Sequence, residues 1–361
     1  MTSSLHNGDS LEVEVESLAL GGDGVSRHLG QVIFTPFAAA GDRLQINIAE
    51  AHRSFARGKI SAVLRPAPAR ENPPCPYYQD CGGCQYQHVS YAEELKWKET
   101  QIRETFQRLA KIVDAPVLPI LSCPQAYGYR NRITVHSDGQ RVGFHRANSR
   151  DIVDIDRCLI ADDAVNTALG RLRATKPVAG HYSVRHPSLP PSAFFQVNHI
   201  LLETLAQTVV SACASGGPRL IEGYCGGGFF THLLAPRFEQ VIAIENDARA
   251  LRDAEKLGLE NVTWHLGRVE DFLHGELQAG RAEKAVVLVD PPREGLGEMA
   301  LRALTEYPAQ QLVYVSCNPA TLARDAQKLK DIYQLESVQP IDMFPRTAQI
   351  ESVVKWKRLN A

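Results

Sequence analysis

The sequence is short of everything that would send a chain into a membrane. No apolar run approaches the roughly 20 residues of a spanning helix, and mean hydropathy is -0.21. Residues Met1 to Ser10 hold no apolar stretch, so no secretory leader is expected, and the location expected is cytoplasmic. Charge of one sign is lacking too: 39 Lys and Arg stand against 41 Asp and Glu, for a net charge of -2. Taken alone, that balance argues against a nucleic-acid partner. Repeats and low-complexity tracts are absent, and no protein partner is implied. Cysteine is not scarce. Eight are present, and in a chain with no expected route to an oxidising compartment, clustered thiols suggest metal rather than disulfides.

Cys317 follows the apolar run Leu312-Val313-Tyr314-Val315-Ser316, and Asn318-Pro319 reads as the cap and first residue of a helix through about Lys330. A cysteine there stands at the carboxyl end of a parallel strand, where open α/β sheets keep their crevice. It also faces a helix N-terminus, which favours thiolate. The plainer reading is a buried, inert cysteine. Two features weigh against it. Asp290-Pro291-Pro292-Arg293 ends the strand Ala285-Val286-Val287-Leu288-Val289 in a rigid loop. Arg219-Leu220-Ile221, the turn Glu222-Gly223-Tyr224-Cys225-Gly226-Gly227-Gly228 and a helix from Phe230 form a strand, turn and helix. A second strand, Gln240 to Glu245, then ends in an acid at the spacing that suits a ribose diol.

Dinucleotide folds share this plan, but their fingerprint wants a third glycine where Thr231 stands. S-adenosylmethionine has no pyrophosphate to cradle. Close backbone approach at Gly226 and a ribose acid at Glu245 suffice for it.

The segments Asp290 to Gly295 and Leu312 to Thr321 resemble the first signature of the RNA uracil-5 methyltransferases. Ile341-Asp342-Met343-Phe344-Pro345-Arg346-Thr347-Ala348-Gln349-Ile350-Glu351 is similar to the second. Gln349 stands where the family usually has histidine, and Arg346 replaces its glutamine, histidine or tyrosine. The resemblance implies methyl transfer from S-adenosylmethionine to carbon 5 of a uridine, with Cys317 as nucleophile and Glu351 as base. Carbon 5 of uracil is a poor nucleophile until a thiolate adds to carbon 6, and a base must later remove the carbon 5 proton. The resemblance further assigns Gln196, in Phe194-Phe195-Gln196-Val197-Asn198, together with Tyr224, Glu245 and Asp290, to the methyl donor. Phe229 and Arg268 depart from the family pattern around the adenine.

Three of the cysteines lie in Cys75-Pro76-Tyr77-Tyr78-Gln79-Asp80-Cys81-Gly82-Gly83-Cys84, and Cys158 is the candidate fourth ligand. Zinc competes for four thiolates, while the wide first gap comes close to iron–sulfur spacing. Many members of the resembled family carry a [4Fe–4S] cluster on this pattern, and the resemblance decides for it. Cys123 and Cys213 read as structural, and Cys225 as unpartnered in the glycine turn.

The expected fold class is α/β in three parts. Residues 1–66 read as a small OB-like β-barrel, which the resemblance names a TRAM domain. Residues 67–190 form a central domain with the iron–sulfur loop, opening with a proline-rich linker from Arg65 to Pro74. A Rossmann-like methyltransferase domain occupies 191–361. The central part holds a helix from Tyr91 to Lys111 and strands at Arg132–His136 and Arg141–His145. From Lys96 to Arg150 ten Lys or Arg face four Asp or Glu, a solvated face or an RNA surface. Tyr129-Arg130-Asn131-Arg132 within it resembles a family segment facing RNA. Structured RNA is the partner expected, with 23S ribosomal RNA ahead of the T-loop of transfer RNA. Rival readings are a cytosine-5 RNA methyltransferase, whose Pro-Cys dipeptide is missing, an amino-group methyltransferase, which has no use for Cys317, and a non-catalytic RNA-binding iron–sulfur protein.

Overall fold

Three sheets, of six, four and seven strands, organise the chain. The computed structural model describes residues 5–188, 196–213, 217–278 and 282–359. Two units form. One comprises Met1–Gln101, Pro124–Pro187 and Phe344–Ala348, the other Ile102–Cys123, Ser188–Met343 and Gln349–Ala361. Among the described residues no helix is long and apolar enough to cross a membrane.

The first unit begins with β1 (Ser10–Glu14), β2 (Ser17–Leu18), β3 (Gly24–His28), β4 (Gln31–Thr35), β5 (Arg43–Ala51) and β6 (Phe55–Arg65), in the order β1-β5-β6-β4-β3-β2. Alternation sets their inner face. Leu44, Ile46 and Ile48 of β5 are buried with Val13, Ile33 and Ala56, while the residues between them face outward. The short β2 and β3 were not anticipated. Gly24 reads as a turn residue, yet it opens β3, where a Cβ would lie 2.6 Å from that of Ala38. The expected linker is tied down as well. Buried Asp42 accepts from the backbone N–H of Ala39 (2.7 Å) and Ala67 (2.9 Å) and from the Arg70 guanidinium.

Helix α1 (Tyr91–Thr105) starts at Ser90, whose Oγ accepts from the Glu93 N–H at 3.3 Å. The helix expected through Lys111 instead changes to a π turn over Phe106–Ala110, and Lys111 closes it in the left-handed region (φ 58°). Farther along, β7 (Arg132–Ser137), β8 (Val142–His145), β9 (Ile152–Asp154) and β10 (Gly180–Arg185) form an antiparallel sheet in the order β10-β7-β8-β9. Helix α2 (Asp163–Ala174), capped by Asp162, covers one face of it with Val165 and Leu169 against Ile133, Val135, Val142 and Val184.

The second unit carries α3 (Leu202–Ala212), β11 (Gly217–Gly223), α4 (Phe229–Leu234), β12 (Phe238–Glu245), α5 (Ala248–Glu255), β13 (Val262–Leu266), α6 (Val269–Gln278), β14 (Ala285–Val289), α7 (Glu298–Glu306), β15 (Gln311–Ser316), α8 (Pro319–Leu329), β16 (Tyr333–Ile341) and β17 (Glu351–Arg358). Its sheet runs β13-β12-β11-β14-β15-β17-β16. Every residue of β14 and β15 is buried, as parallel strands covered on both faces require. Each buried Val or Leu contributes about 1.5–3 kcal/mol. The order reverses between β11 and β14, so the crevice outside the carboxyl ends of the strands opens there. β17 alone runs antiparallel to β15, which brings its first residue to the same edge.

Candidate active site

The register places the reactive groups. Ser316 pairs with Ser352 across β15 and β17, so Cys317 and Glu351, one step farther along, meet at the carboxyl edge of the sheet. Asp290 follows β14, and its N–H reaches back to the carbonyl of Gly223 on β11. Asn318 ties the loops together. Its Oδ1 caps α8 by accepting from the Ala320 N–H at 3.1 Å, while its Nδ2 donates to the carbonyl of Arg293 at 3.0 Å. Thr321 Oγ1 donates to the same carbonyl at 3.0 Å. Buried Asp325 accepts from the Leu296 N–H and from the Tyr314 hydroxyl, fixing the end of the loop.

Electrostatics at this edge run against the simplest expectation for Cys317. A helix N-terminus should favour thiolate, but the thiol is pushed up to about 11, by burial first and then by the Glu351 carboxylate. The Arg293 guanidinium pulls the other way, and Asp290 adds to the rise. Burial raises Asp290 to about 7. Glu351 is raised well above the ordinary carboxylate range by burial and then by Asp290, against Arg293. Like charges in a dry site cannot all ionise. The resting group at Cys317 is therefore the thiol, and sequence missed this because the two carboxyls arrive from other strands.

The glycine turn shapes the neighbouring edge. Tyr224 sits in the left-handed region (φ 63°), as do Gly226 (φ 55°) and Gly228 (φ 80°). For tyrosine that conformation costs about 1–2 kcal/mol, and strain of this kind collects at binding sites. A side chain at Gly228 would come within 2.8 Å of Leu257, whereas a Cβ at Gly226 or Gly227 would meet nothing within 4 Å. The turn thus leaves open backbone for a ligand to approach. Glu245 secures it by accepting from the N–H of Gly226 and of Asp247, both at 2.8 Å. Beside it lies a cavity of about 480 Å3, lined by Tyr224, Asn246, Arg268, Glu270, Pro292 and Leu296 among others. Of the anticipated donor-binding residues, Tyr224 lines this cavity. Gly226, Glu245 and Asp290 stand at the adjoining strand ends without lining it. Gln196 is not among the described residues lining it either, and the Phe194-Phe195 pair before it lies outside the described residues.

Three residues at this edge escaped the sequence reading as site residues. Glu270 accepts from the Tyr224 hydroxyl at 3.2 Å and lines the cavity. Glu222 is buried, is raised to about 8 by burial, and accepts from the Thr231 hydroxyl at 2.7 Å. Arg293 offsets the charge of Cys317 and Glu351. Its place after Asp290-Pro291-Pro292 was the available signal. Arg346, which departs from the family pattern, is buried in the first unit. Its guanidinium lies 5.4 Å from the Tyr91 ring and 5.1 Å from the Tyr127 ring, and Nη1 donates to the carbonyl of Val89.

The four clustered cysteines also come together. Cys75, Cys81, Cys84 and Cys158 line one small cavity of about 60 Å3 with Tyr77 and Arg130. Burial pushes Cys81 up to about 11 and Cys84 up to about 12. No three His, Cys, Asp or Glu among the described residues are arranged to hold a single metal ion. Arg130 was expected to face RNA, yet it lines this cavity. The charges acting most strongly on its buried guanidinium are those of Tyr129, Cys158 and Cys84, with no carboxylate among them. Cys123 and Cys213 are buried, as expected, and Cys225 is buried in the turn.

Comparison with known proteins fits this geometry. Residues 181–359 match the tRNA (Uracil-5-)-methyltransferase family model, and residues 5–61 match the TRAM domain. An uncharacterized RNA methyltransferase of Bdellovibrio bacteriovorus is 30% identical over 379 residues, covering 97% of this chain and 95% of that protein. One from Halalkalibacterium halodurans is 27% identical over 456 residues, covering 99% and 98%. The crystal structure of Pyrococcus abyssi tRNA (uracil-54, C5)-methyltransferase, in complex with S-adenosyl-L-homocysteine, superposes with a TM-score of 0.71. It is 23% identical, covers 96% of this chain and 100% of its own, and so bears on the fold. By these relationships the chain belongs to the RNA (uracil-5-)-methyltransferase family, S-adenosylmethionine-dependent enzymes, with an N-terminal TRAM domain.

Proposed function

We propose that the chain methylates carbon 5 of one uridine in a structured RNA through a covalent adduct on Cys317. The observation that carries this reading is the meeting of Cys317 with Glu351, Asp290 and Arg293 at one strand edge. Cys317 gives up its proton to the carboxyl pair, which releases it before Glu351 acts as base, and its sulfur bonds carbon 6 of the uracil. The carbon 5–carbon 6 π electrons shift to form an enolate whose charge rests on the exocyclic oxygen at carbon 4, and Arg293 offsets the negative charge accumulating nearby. Tyr224, Gly226, Glu245, Asp290 and Gln196 would hold S-adenosylmethionine, which would leave as the neutral thioether after supplying an electrophilic methyl group. Once carbon 5 carries it, Glu351 removes the carbon 5 proton, the double bond re-forms and the carbon 6–sulfur bond breaks. A carboxyl raised by burial is a stronger base when ionised, which suits that last step.

The donor set of Cys75, Cys81, Cys84 and Cys158 suits a [4Fe–4S] cluster. Four thiolates lining one cavity could equally hold zinc, and it is the wide first gap of the cysteine motif, together with the family resemblance, that favours the cluster. Arg130 would then balance the charge of ligated thiolates. In this reading residues 1–66 and 67–190 grip structured RNA, residues 191–361 carry the chemistry, and the enzyme works in the cytoplasm. Ribosomal RNA is the target we favour, because a cluster-type cysteine set accompanies the TRAM domain. The T-loop of transfer RNA is the second reading, favoured by the family model's description and by the activity of the Pyrococcus protein.

RNA carrying 5-fluorouridine tests the chemistry, since fluorine cannot leave carbon 5 as a proton does. The expected result is a protein–RNA adduct stable to denaturation and lost in Cys317→Ala. Absence of any adduct alongside turnover of ordinary RNA would reject the covalent route. Mass mapping of 5-methyluridine in a strain lacking the protein then separates the targets, by which of ribosomal and transfer RNA loses the modification.

A further inference from the structure

Helix α8 turns one face toward the loop that carries Asp290 and Arg293. Asn318, Thr321 and Asp325 follow one another at steps of three and four residues, so their side chains share that face. What they hold is backbone. Asn318 Nδ2 and Thr321 Oγ1 both donate to the Arg293 carbonyl, each at 3.0 Å. Arg324 donates from Nη2 to the carbonyls of Glu294 at 2.9 Å and Leu296 at 3.3 Å. Asp325, fully buried, accepts from the Leu296 N–H at 2.9 Å and from the Tyr314 hydroxyl at 2.8 Å. Its other oxygen accepts from Nε and Nη2 of Arg324 at 2.8 and 2.6 Å. Gly295 lets the loop come this close. It sits in the left-handed region (φ 77°), and a Cβ there would meet Asp325 Oδ2 at 2.7 Å and Arg324 Nη2 at 2.8 Å.

A surface loop ordinarily leaves its backbone groups to water. Pro292, Arg293 and Glu294 are exposed, so the clamp secures position there rather than burial. The cap of the same helix, Asn318, directly follows Cys317. Cys317 and the Arg293 carbonyl are thereby tied to one helix end. The Arg293 guanidinium is in the opposite condition: it is exposed and makes no hydrogen bond or ion pair among the described residues. Water and salt screen an exposed cation within about 8 Å. On a loose loop its pull on Cys317 and Glu351 would fade, whereas on a clamped one its range is set by its own side chain. Displacement by about 1 Å, from a change remote from the chemistry, can slow an enzyme on the order of 100-fold.

We propose that Thr321, Arg324 and Asp325 are positioning residues for the reaction, which hold the loop backbone so that the Arg293 guanidinium stays beside Cys317 and Glu351. The proposal rests on Cys317 as the nucleophile of the proposed function. Its readout is the rate at which iodoacetamide alkylates half-buried Cys317 in the full-length protein near pH 8, followed by peptide mapping. The reagent is neutral and the thiolate is the reacting form, so the rate follows the ionisation of Cys317 and not the charge of the probe. Two changes together open the clamp. Thr321→Val keeps the shape and loses the hydroxyl, while Arg324→Lys keeps a cation for Asp325 and loses the planar fork that spans two carbonyls. Alkylation should then slow about threefold, the scale of one exposed charge pair. Arg293→Gln should slow it as much, and the combined variant should be no slower than Arg293→Gln alone, because changes acting through one contact do not add. Thr321→Ser, which keeps the hydroxyl, should react as wild type. Should the double change unfold the chain, Thr321→Val alone makes the same comparison. A wild-type rate with the clamp opened, or slowing that adds in full to that of Arg293→Gln, would overturn the positioning role. The expected rates in a protein whose Cys317→Ala form still methylates uridine would overturn the proposed function and leave the clamp standing.

Discussion

Two sets of buried carboxylates in this protein meet opposite fates. In the first unit Glu94, fully buried, accepts from Lys98 Nζ at 2.7 Å and from the N–H of Arg346 at 2.7 Å. Lys98 is equally buried and also donates to the carbonyl of Phe344. In the second unit buried Glu351 and half-buried Asp290 stand near one another and near Cys317, with Arg293 as the cation acting on Glu351 and the thiol. The first set is compensated and holds a structure together. The second is left short of positive charge, so its groups sit at raised pKa values, ready to exchange protons. Burial is common to both, and the supply of cations and N–H donors separates structure from chemistry.

The largest effect should come from the uncompensated set. Cys317→Ala should lower methyl transfer by on the order of 10^4-fold or more, with S-adenosylmethionine affinity and melting temperature unchanged. Residual turnover within tenfold of wild type would show that the thiol is not the nucleophile. In the compensated set the same kind of truncation should strike stability instead. Lys98→Met takes away the nearer of Glu94's cations, leaving the Arg346 guanidinium at 3.6 Å, and should cost about 3 kcal/mol by chemical denaturation.

A smaller effect should appear in the pH dependence of stability. Asp290 rises from 3.8 unfolded to about 7 folded, so the native state holds its proton more tightly than the unfolded chain does. That contribution is complete below pH 3.8 and is lost as pH rises through 7. Asp290→Asn should therefore be more stable than wild type at pH 8, by up to roughly 4 kcal/mol at about 1.4 kcal/mol per pKa unit. The advantage should vanish toward pH 4. A constant difference across that range would mean that burial does not govern Asp290. The smallest effect on chemistry is expected at the cysteine cavity. Cys84→Ser should remove iron and sulfide from anaerobically purified protein while leaving S-adenosylmethionine affinity within about twofold. Stoichiometric zinc without iron in the wild type would reject the cluster.

Local chemistry was legible wherever a few adjacent residues decide it. Asn318 caps α8 and Pro319 opens it, as their identities predict. Ala285–Val289 is a strand with the expected limits because five apolar residues end at an acid and two prolines. β13 was missed, since its alternation is blurred at the sheet edge, and so was α2, whose cap Asp162 follows no long apolar run. The cysteine motif pointed to a shared cavity but did not reveal Arg130 inside it. Least legible was the state of Cys317. Its neighbours in sequence predict a thiolate, and its neighbours in space, brought by β14 and the reversed β17, keep the proton on.

The division of labour between Cys317 and Glu351 is the centre of this account, and Glu351→Gln on ordinary RNA tests it most directly. Deprotonation at carbon 5 follows methyl transfer, so loss of the base should leave the methylated uridine bonded to Cys317. A denaturing gel should then show a protein–RNA adduct carrying label from the methyl donor. Loss of activity with no labelled adduct would contradict the assignment of Glu351 as the base.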